Sequence, residues 1–315
     1  MKKISLALVL IFTFVLCSCN NVVNKPESPV EDFEFTLQNS EAIITGYNGS
    51  DLEISIPSMY NDRPVTMIGE SAFEEYDMIS ITIPDSVTCI DSDAFSGCSC
   101  LQEVQLGKGL ESIGSYAFSD CVSLKSIDFP KSLLTIDYDA FRGCTSLKTV
   151  NFNDGLTTIG SYAFSECVSL TSVDFPNSLL TIENDAFSGS GLSNVILPDG
   201  IQTLEWRSFE TAGESGELVI PDNVDPDIRL KSQSDVSGNI YDCSLALPTG
   251  YYQYYPIDVA YDESGTYARF AKDIAQSKPK LKIVVSKDSI AYQQLKAIEE
   301  ESNIDLQELG IYRVK

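Results

Sequence analysis

The chain of 315 residues contains no histidine. This absence excludes Ser-His-Asp and Cys-His catalytic arrangements and nearly all catalytic zinc sites, which depend on imidazole groups. There is also no CxxC pair, because Cys98-Ser99-Cys100 is only CxC, and no glycine-rich phosphate loop follows a strand. The sequence therefore predicts a protein that is not an enzyme and that uses neither a cofactor nor a metal ion.

Basic residues are scarce as well. The chain has 21 lysine and arginine residues against 46 aspartate and glutamate residues, which gives a formal net charge of −25. A surface of this charge repels phosphate groups, so we expect no binding to nucleic acid. It also argues against adsorption to anionic lipid, and any membrane attachment should therefore depend on a covalent lipid anchor.

The N-terminal apolar run is too short to span a bilayer. It extends over 14 residues, from Ile4 to Cys17, after Lys2 and Lys3, whereas a transmembrane helix needs about 20. We interpret residues 1–18 as a signal peptide. The run ends in Leu16-Cys17-Ser18-Cys19, which looks like a bacterial lipobox with Cys19 as the acylated residue; an ordinary secretory signal cut nearby is the alternative. Residues 19–32 are then predicted to form a flexible tether, and we expect an exported lipoprotein of the cell envelope, at the outer membrane or cell surface.

An Ala-Phe pair returns every 22 or 23 residues through the middle of the chain. It occurs at Ala72-Phe73, Ala94-Phe95, Ala117-Phe118, Ala140-Phe141, Ala163-Phe164 and Ala186-Phe187, and decays to Ser208-Phe209. A fixed period in this range predicts a solenoid whose coils bury each other's flat sides.

The coil from Leu124 to Cys144 shows what each repeat contains. Ile127 and Phe129 alternate on a short strand that Pro130 ends, and a second short strand covers 133–136. Asp137 and Asp139 offer caps to a single helical turn that carries Ala140 and Phe141 inward. Each coil is therefore predicted to be strand, strand and short helical turn.

These motifs resemble the BspA-like leucine-rich repeats of bacterial surface proteins. The resemblance rests on the L-x-x-[IV]-x-[FL] strand, the x-x-x-[IL]-x-x-I second strand and the x-x-AF-x-x-C turn, from about Phe33 to Leu218. It implies a leucine-rich repeat solenoid, a right-handed superhelix, over residues 51–224. It also implies an N-terminal hairpin cap at 33–50 and, after an irregular segment, an α+β C-terminal cap within 225–315; a separate small domain there is the alternative.

Four cysteines occupy one register of the repeat: Cys98, Cys121, Cys144 and Cys167. Neighbouring coils lie about 4.8 Å apart, so the sulfur atoms should form a buried row. A disulfide stays sterically possible at that spacing, but parallel side chains favour free thiols that act as small core residues. A straight row cannot supply the tetrahedral ligands of zinc.

The outward positions of the first strand predict a polar, partly acidic face. We take as the candidate binding face Glu103, Gln105, Asp128, Thr149, Asn151 and Asp174. Asp128 and Asp174 should lie about 9.6 Å apart, near the separation that inverting glycosidases use, which leaves catalysis as an alternative. Calcium binding at Asp91–Asp93, Asp137–Asp139 or Glu183–Asp185 is another, although helix capping explains those acids more simply.

The resemblance implies a surface-exposed, non-catalytic binding or adhesion protein. Its partner would be a protein or glycan of a host or of neighbouring bacteria, and we expect the protein to be a monomer. A polysaccharide-active or glycan-binding lipoprotein that uses the acidic strand residues is the first alternative. An envelope spacer or antigen without a dedicated ligand is the second.

Overall fold

The computed structural model describes residues 27–204, 206–209, 216–219, 281–302, 305–308 and 312–314. The predicted signal peptide, Cys19 and the first part of the tether lie outside these residues, as does most of the segment 225–315. In the described part of the chain, no helix has the length and apolar character that crossing a membrane requires.

Every coil except the one at residues 170–176 contributes a first strand of three or four residues, and these strands lie on one side of the solenoid. They are β3 (Glu53–Ser55), β6 (Ser80–Thr82), β8 (Glu103–Gln105), β10 (Ser126–Asp128), β12 (Thr149–Asn151), β15 (Asn194–Ile196) and β17 (Gly216–Val219). Their parallel pairing is interrupted, giving the separate sheets β3-β6-β8 and β10-β12 and a third that begins with β15-β17.

The second strands form a longer ladder. They are β5 (Arg63–Ile68), β7 (Cys89–Ile90), β9 (Ser112–Ile113), β11 (Thr135–Ile136), β13 (Thr158–Ile159), β14 (Thr181–Ile182) and β16 (Thr203–Leu204). Equivalent residues of successive coils pair directly, as Thr135 does with Thr158 and Thr158 with Thr181. The repeat period thus sets the register of the ladder. The predicted solenoid is confirmed, and it has about seven turns.

An antiparallel hairpin precedes the coils. Its strands are β1 (Phe33–Gln38) and β2 (Glu41–Tyr47), and β2 also pairs in parallel with β5. The short strand β4 (Met59–Tyr60) also pairs with β5, in antiparallel orientation. Inside the hairpin the rings of Phe33 and Tyr47 lie 4.8 Å apart, and both contact Phe73, the first aromatic ring of the repeats.

The end of the chain adds two strands and one helix. They are β18 (Leu281–Val285), α1 (Ile290–Ser302) and β19 (Tyr312–Val314). β18 extends the sheet of β17 in parallel, and β19 pairs with β18. The helix begins after Ser289, whose hydroxyl accepts a hydrogen bond from the amide of Tyr292, as an N-cap residue does. The capping roles of the hairpin and of this segment stay predictions.

The turn that carries the Ala-Phe pair differs from the predicted helical turn. It consists of consecutive β-turns, and among the described coils only Trp206–Phe209 forms a 3-10 turn. Asp139 and Gly143 have φ of 53° and 71°, which is left-handed backbone. As a result, the amides of Asp139, Phe141 and Gly143 donate to carbonyl groups of the next coil at 2.8–2.9 Å. A helix would keep these amides within one coil, whereas here they form a third ladder between coils.

The core is a column of stacked phenylalanine rings. Successive rings lie 4.9–5.4 Å apart at interplanar angles of 2–14°. The members are Phe73, Phe95, Phe118, Phe141, Phe164, Phe187 and Phe209. A shorter column of Phe129, Phe152 and Phe175 meets the first one edge-on. The rings of successive coils therefore cover each other, which confirms the central expectation from the repeat.

Candidate functional site

Five of the six candidate binding residues lie on the first strands of their coils. Glu103 and Gln105 lie on β8, Asp128 on β10, and Thr149 and Asn151 on β12, and all five side chains are exposed. The residues between them, Val104, Ile127 and Val150, are buried, so the strands alternate outward and inward as a pleated strand does. We call these five exposed residues, together with Asp174, the strand face; their role in binding stays a prediction.

Asp174 is exposed but does not lie on a strand. Residues 170–176 have no ladder, although a strand was expected there. Nothing in this coil, TSVDFP, distinguishes it from the closely similar SIDFP of the coil that forms β10. The strand face is consequently two separate strips, one on β8 and one on β10-β12, with Asp174 beside the second.

Hydrogen bonds fix part of the second strip. The side-chain amide of Asn151 donates to Asp128 Oδ1 across the β10-β12 ladder. Asp128 is therefore occupied by a neighbouring amide and, like Asp174, is exposed to solvent. The general acids of glycosidases lie in desolvated pockets instead. The arrangement suits surface recognition through amide and carboxylate groups better than it suits acid catalysis.

The four cysteines in register are buried free thiols. Each thiol donates to a phenylalanine carbonyl of the preceding coil at 3.0–3.2 Å: Cys98 to Phe73, Cys121 to Phe95, Cys144 to Phe118 and Cys167 to Phe141. Burial is the largest cause that raises their pKa values, that of Cys98 to about 12. Because the thiolate is the reactive form, this row serves packing and backbone hydrogen bonding.

A second polar cluster lies at the Ala-Phe turns and includes Asp139, for which the sequence predicts helix capping or, as an alternative, calcium binding. The rings of Tyr116 and Tyr138 lie 5.5 Å apart, and those of Tyr138 and Tyr162 lie 5.6 Å apart, both in edge-to-face arrangements. Tyr116 and Tyr162 immediately precede the alanine of their coils, whereas Tyr138 comes one residue earlier. The sequence feature that could have indicated this cluster is the change from Gly-Ser-Tyr-Ala-Phe at 114–118 to Asp-Tyr-Asp-Ala-Phe at 137–141.

Asp139 lies buried beside Tyr116 and Tyr138. Its side chain is 1% exposed, and in the described part of the chain neither carboxylate oxygen has a hydrogen-bond partner. Arg142 Nε is 3.8 Å from Oδ1, and the same guanidinium group reaches Glu166 at 3.7 Å. Burial raises the pKa of Asp139 to about 6, while Arg142 and the nearby hydroxyls of Tyr138 and Tyr116 act to lower it. We call Tyr116, Tyr138, Asp139, Arg142 and Tyr162 the turn-edge cluster.

The acidic turns do not form a metal centre among the described residues. No group of three or more histidine, cysteine, aspartate or glutamate side chains there is placed to hold a metal ion. Asp139 has an arginine beside it rather than further carboxylates, and calcium sites need six to eight oxygen ligands.

Comparison with known proteins gives a family-level match. The model of the BspA type leucine-rich repeat region matches residues 66–167 and 111–226, with six copies. A leucine-rich cell surface protein of Faecalibacterium prausnitzii is 30% identical with a TM-score of 0.55; the match covers 65% of this chain and 57% of that protein. A leucine-rich repeat protein of T. pallidum is 32% identical with a TM-score of 0.47, covering 59% and 78% of the two chains. No curated protein matches this chain.

Proposed function

Since this chain belongs to the BspA-type leucine-rich repeat family, we propose that it is a surface-exposed, non-catalytic binding protein. The strand face would contact a protein or glycan of a host or of neighbouring bacteria. The family supports a surface repeat protein, and the F. prausnitzii relative is described as a cell surface protein. The identity of the partner and an adhesive role belong to the proposal.

The observation that carries the proposal is the alternation on β8, β10 and β12. Exposed polar side chains flank a buried residue on each strand, and the paired strands β10 and β12 lie about 4.8 Å apart. The result is a regular array of amide, hydroxyl and carboxylate groups on a backbone that the core holds in place. Such preorganisation lowers the entropy lost on binding.

The anchor in this proposal is the acylated Cys19, which precedes the described residues. With two or more acyl chains, the lipid would hold the protein at the envelope stably. Within the predicted tether of 19–32, Glu27 and Ser28 already hydrogen-bond to Ser58 and Ser55 of the first coil. Residues 19–26 would then separate the solenoid from the membrane, and the strand face would be available to partners outside the cell. The outer membrane is the proposed location.

A binding assay with a charge-matched control tests the strand face. The protein would be presented to immobilised extracellular matrix proteins, co-resident bacteria and a glycan panel. Asp128→Ala, Asn151→Ala and Asp174→Ala together should abolish the binding that wild type shows. Glu70→Ala with Glu111→Ala also removes two exposed negative charges and should bind as wild type does.

Three outcomes contradict the proposal. Unchanged binding by the strand-face triple variant would place the contact elsewhere on the solenoid. Release of new reducing ends from any glycan of the panel would make the protein an enzyme. Absence of binding across the whole panel would favour an envelope spacer.

A further inference from the structure

The carboxylate of Asp139 in the turn-edge cluster is only partly compensated by its neighbours. Asp139 is buried, no donor completes a hydrogen bond to either of its oxygens in the described part of the chain, and Arg142 approaches only one of them at 3.8 Å. A buried carboxylate ordinarily requires hydrogen-bond donors as well as an opposite charge. Arg142 is 46% exposed and is shared with Glu166, so it satisfies this requirement only in part.

Aromatic rings border the same carboxylate. Tyr116 and Tyr138 are 36% and 42% exposed, and they meet edge to face at 64°. The hydroxyl groups of both tyrosines act to lower the pKa of Asp139. Tyrosine faces attract cations, and the attraction grows when water is excluded. Two partly exposed rings beside a buried carboxylate therefore form a surface on which an organic cation can be held.

A second place in the chain combines a carboxylate and two tyrosines, and there they hold a lysine side chain. In the C-terminal segment, Lys296 Nζ lies 2.5 Å from Glu299 Oε2 and 6.0 Å from the centre of the Tyr292 ring. The hydroxyl of Tyr312 also contacts Glu299, and the rings of Tyr292 and Tyr312 meet edge to face at 69°. This internal site contains a carboxylate, two tyrosines and a primary ammonium group. The turn-edge cluster contains the carboxylate and the two tyrosines but no primary ammonium group.

We propose that the turn-edge cluster binds a primary alkylammonium group, such as a lysine side chain on a basic partner. Asp139 would be the counter-ion, and Tyr116 and Tyr138 would border the bound group. A primary ammonium has three N–H donors, which the unbonded oxygens of Asp139 can accept, whereas a quaternary ammonium has none. Entry of the ligand requires Arg142 to leave Asp139, and its contact with Glu166 gives the guanidinium group an alternative position.

This site is distinct from the strand face and does not depend on it. The strongly acidic surface, with a net charge of −25 over the chain, should raise the local concentration of cationic ligands around it. A partner that uses both sites would combine polar contacts on the strands with a lysine at the turns.

Calorimetric titration of the purified full-length chain with Nα-acetyl-lysine methylamide tests the inference. The neutral norleucine analogue should not bind, and choline should bind at least tenfold more weakly than the lysine derivative. Asp139→Asn should weaken binding of the lysine derivative at least tenfold, and asparagine tolerates the left-handed backbone of this position. Arg142→Gln should strengthen binding several-fold, because it removes the internal competitor.

Asp120→Asn is the matched control. Asp120 is an exposed carboxylate with φ of 57° on the preceding turn, and its replacement should leave the affinity within twofold of wild type. Unchanged affinity in Asp139→Asn, or a loss of affinity in Arg142→Gln, would overturn the proposal. Equal binding of choline or of the norleucine analogue would overturn it too, as would absence of binding to wild type. Circular dichroism spectra of the variants would separate these outcomes from misfolding.

Discussion

Replacement of Asp139 by asparagine should stabilise the protein at neutral pH. The side chain is 1% exposed, and burial raises its pKa from 3.8 to about 6. Because the folded-state pKa lies above the unfolded-state value, protonation favours the folded state. The stability that this site contributes is present in full below pH 3.8 and is lost as the pH rises through about 6. At higher pH the folded protein must keep a charged group out of water.

The magnitude follows from the two pKa values. Each pKa unit corresponds to about 1.4 kcal/mol, so the ionised carboxylate costs about 3 kcal/mol at pH 8 and about 1.5 kcal/mol at pH 5. Asp139→Asn removes this cost while keeping the side-chain shape and a residue suited to φ of 53°. The free energy of unfolding of the variant should exceed that of wild type by these amounts.

Urea unfolding followed by circular dichroism at several pH values between 5 and 8 measures the difference. This range stays above the isoelectric point of about 4.2. The charged and titratable groups around Asp139 are Tyr116, Asp120, Tyr138 and Arg142, so Asp120→Asn provides the control for loss of one exposed charge on the neighbouring turn. A difference between Asp139→Asn and wild type that is zero, or that does not grow with pH, would refute the reasoning.

Three further predictions concern the core and the turns. Phe141→Ala should lower the free energy of unfolding by about 3–5 kcal/mol in urea titrations, because it interrupts the stacked rings; a loss below about 1 kcal/mol would contradict the column. Iodoacetamide at pH 8 should label exposed Cys100 but not buried Cys144 in the folded protein, which mass spectrometry can show; equal labelling rates would contradict the packing role. Gly143→Ala should destabilise the protein more than Gly189→Ala in thermal unfolding. Both glycines have φ near 70°, but only the first would push its new Cβ into a carboxylate oxygen of the preceding coil, the second having 3.6 Å of space. Equal losses would mean that backbone conformation alone decides the cost.

Most of the fold could be predicted from the repeat period. A period of 22 or 23 residues places equivalent side chains above one another, so the pairing of Thr135 with Thr158 and the stacking of Phe118, Phe141 and Phe164 were predictable. These features depend only on the number of residues per coil. The alternation of Ile127 with its exposed neighbours follows similarly from the two-residue period of a strand.

The turn and its polar cluster were not predictable in the same way. Asp137 and Asp139 look like helix caps, because aspartate is common there, but the left-handed conformation of Asp139 directs its amide to the next coil. The tyrosine cluster depends on contacts between coils. Tyr138 is offset by one residue from Tyr116 and Tyr162, so alignment of the repeats conceals the contact that the folded turns create. No feature of the sequence indicates the missing first strand at 170–176.

Site-specific photo-crosslinking tests the proposed binding surface most directly. A photoactivatable phenylalanine analogue would replace Asn151 on β12 in one protein and exposed Glu111 in another. After illumination with a partner captured from the panel, we expect a covalent adduct from position 151 and none from position 111. An adduct from position 111 alone would contradict the assignment of the strand face as the binding surface.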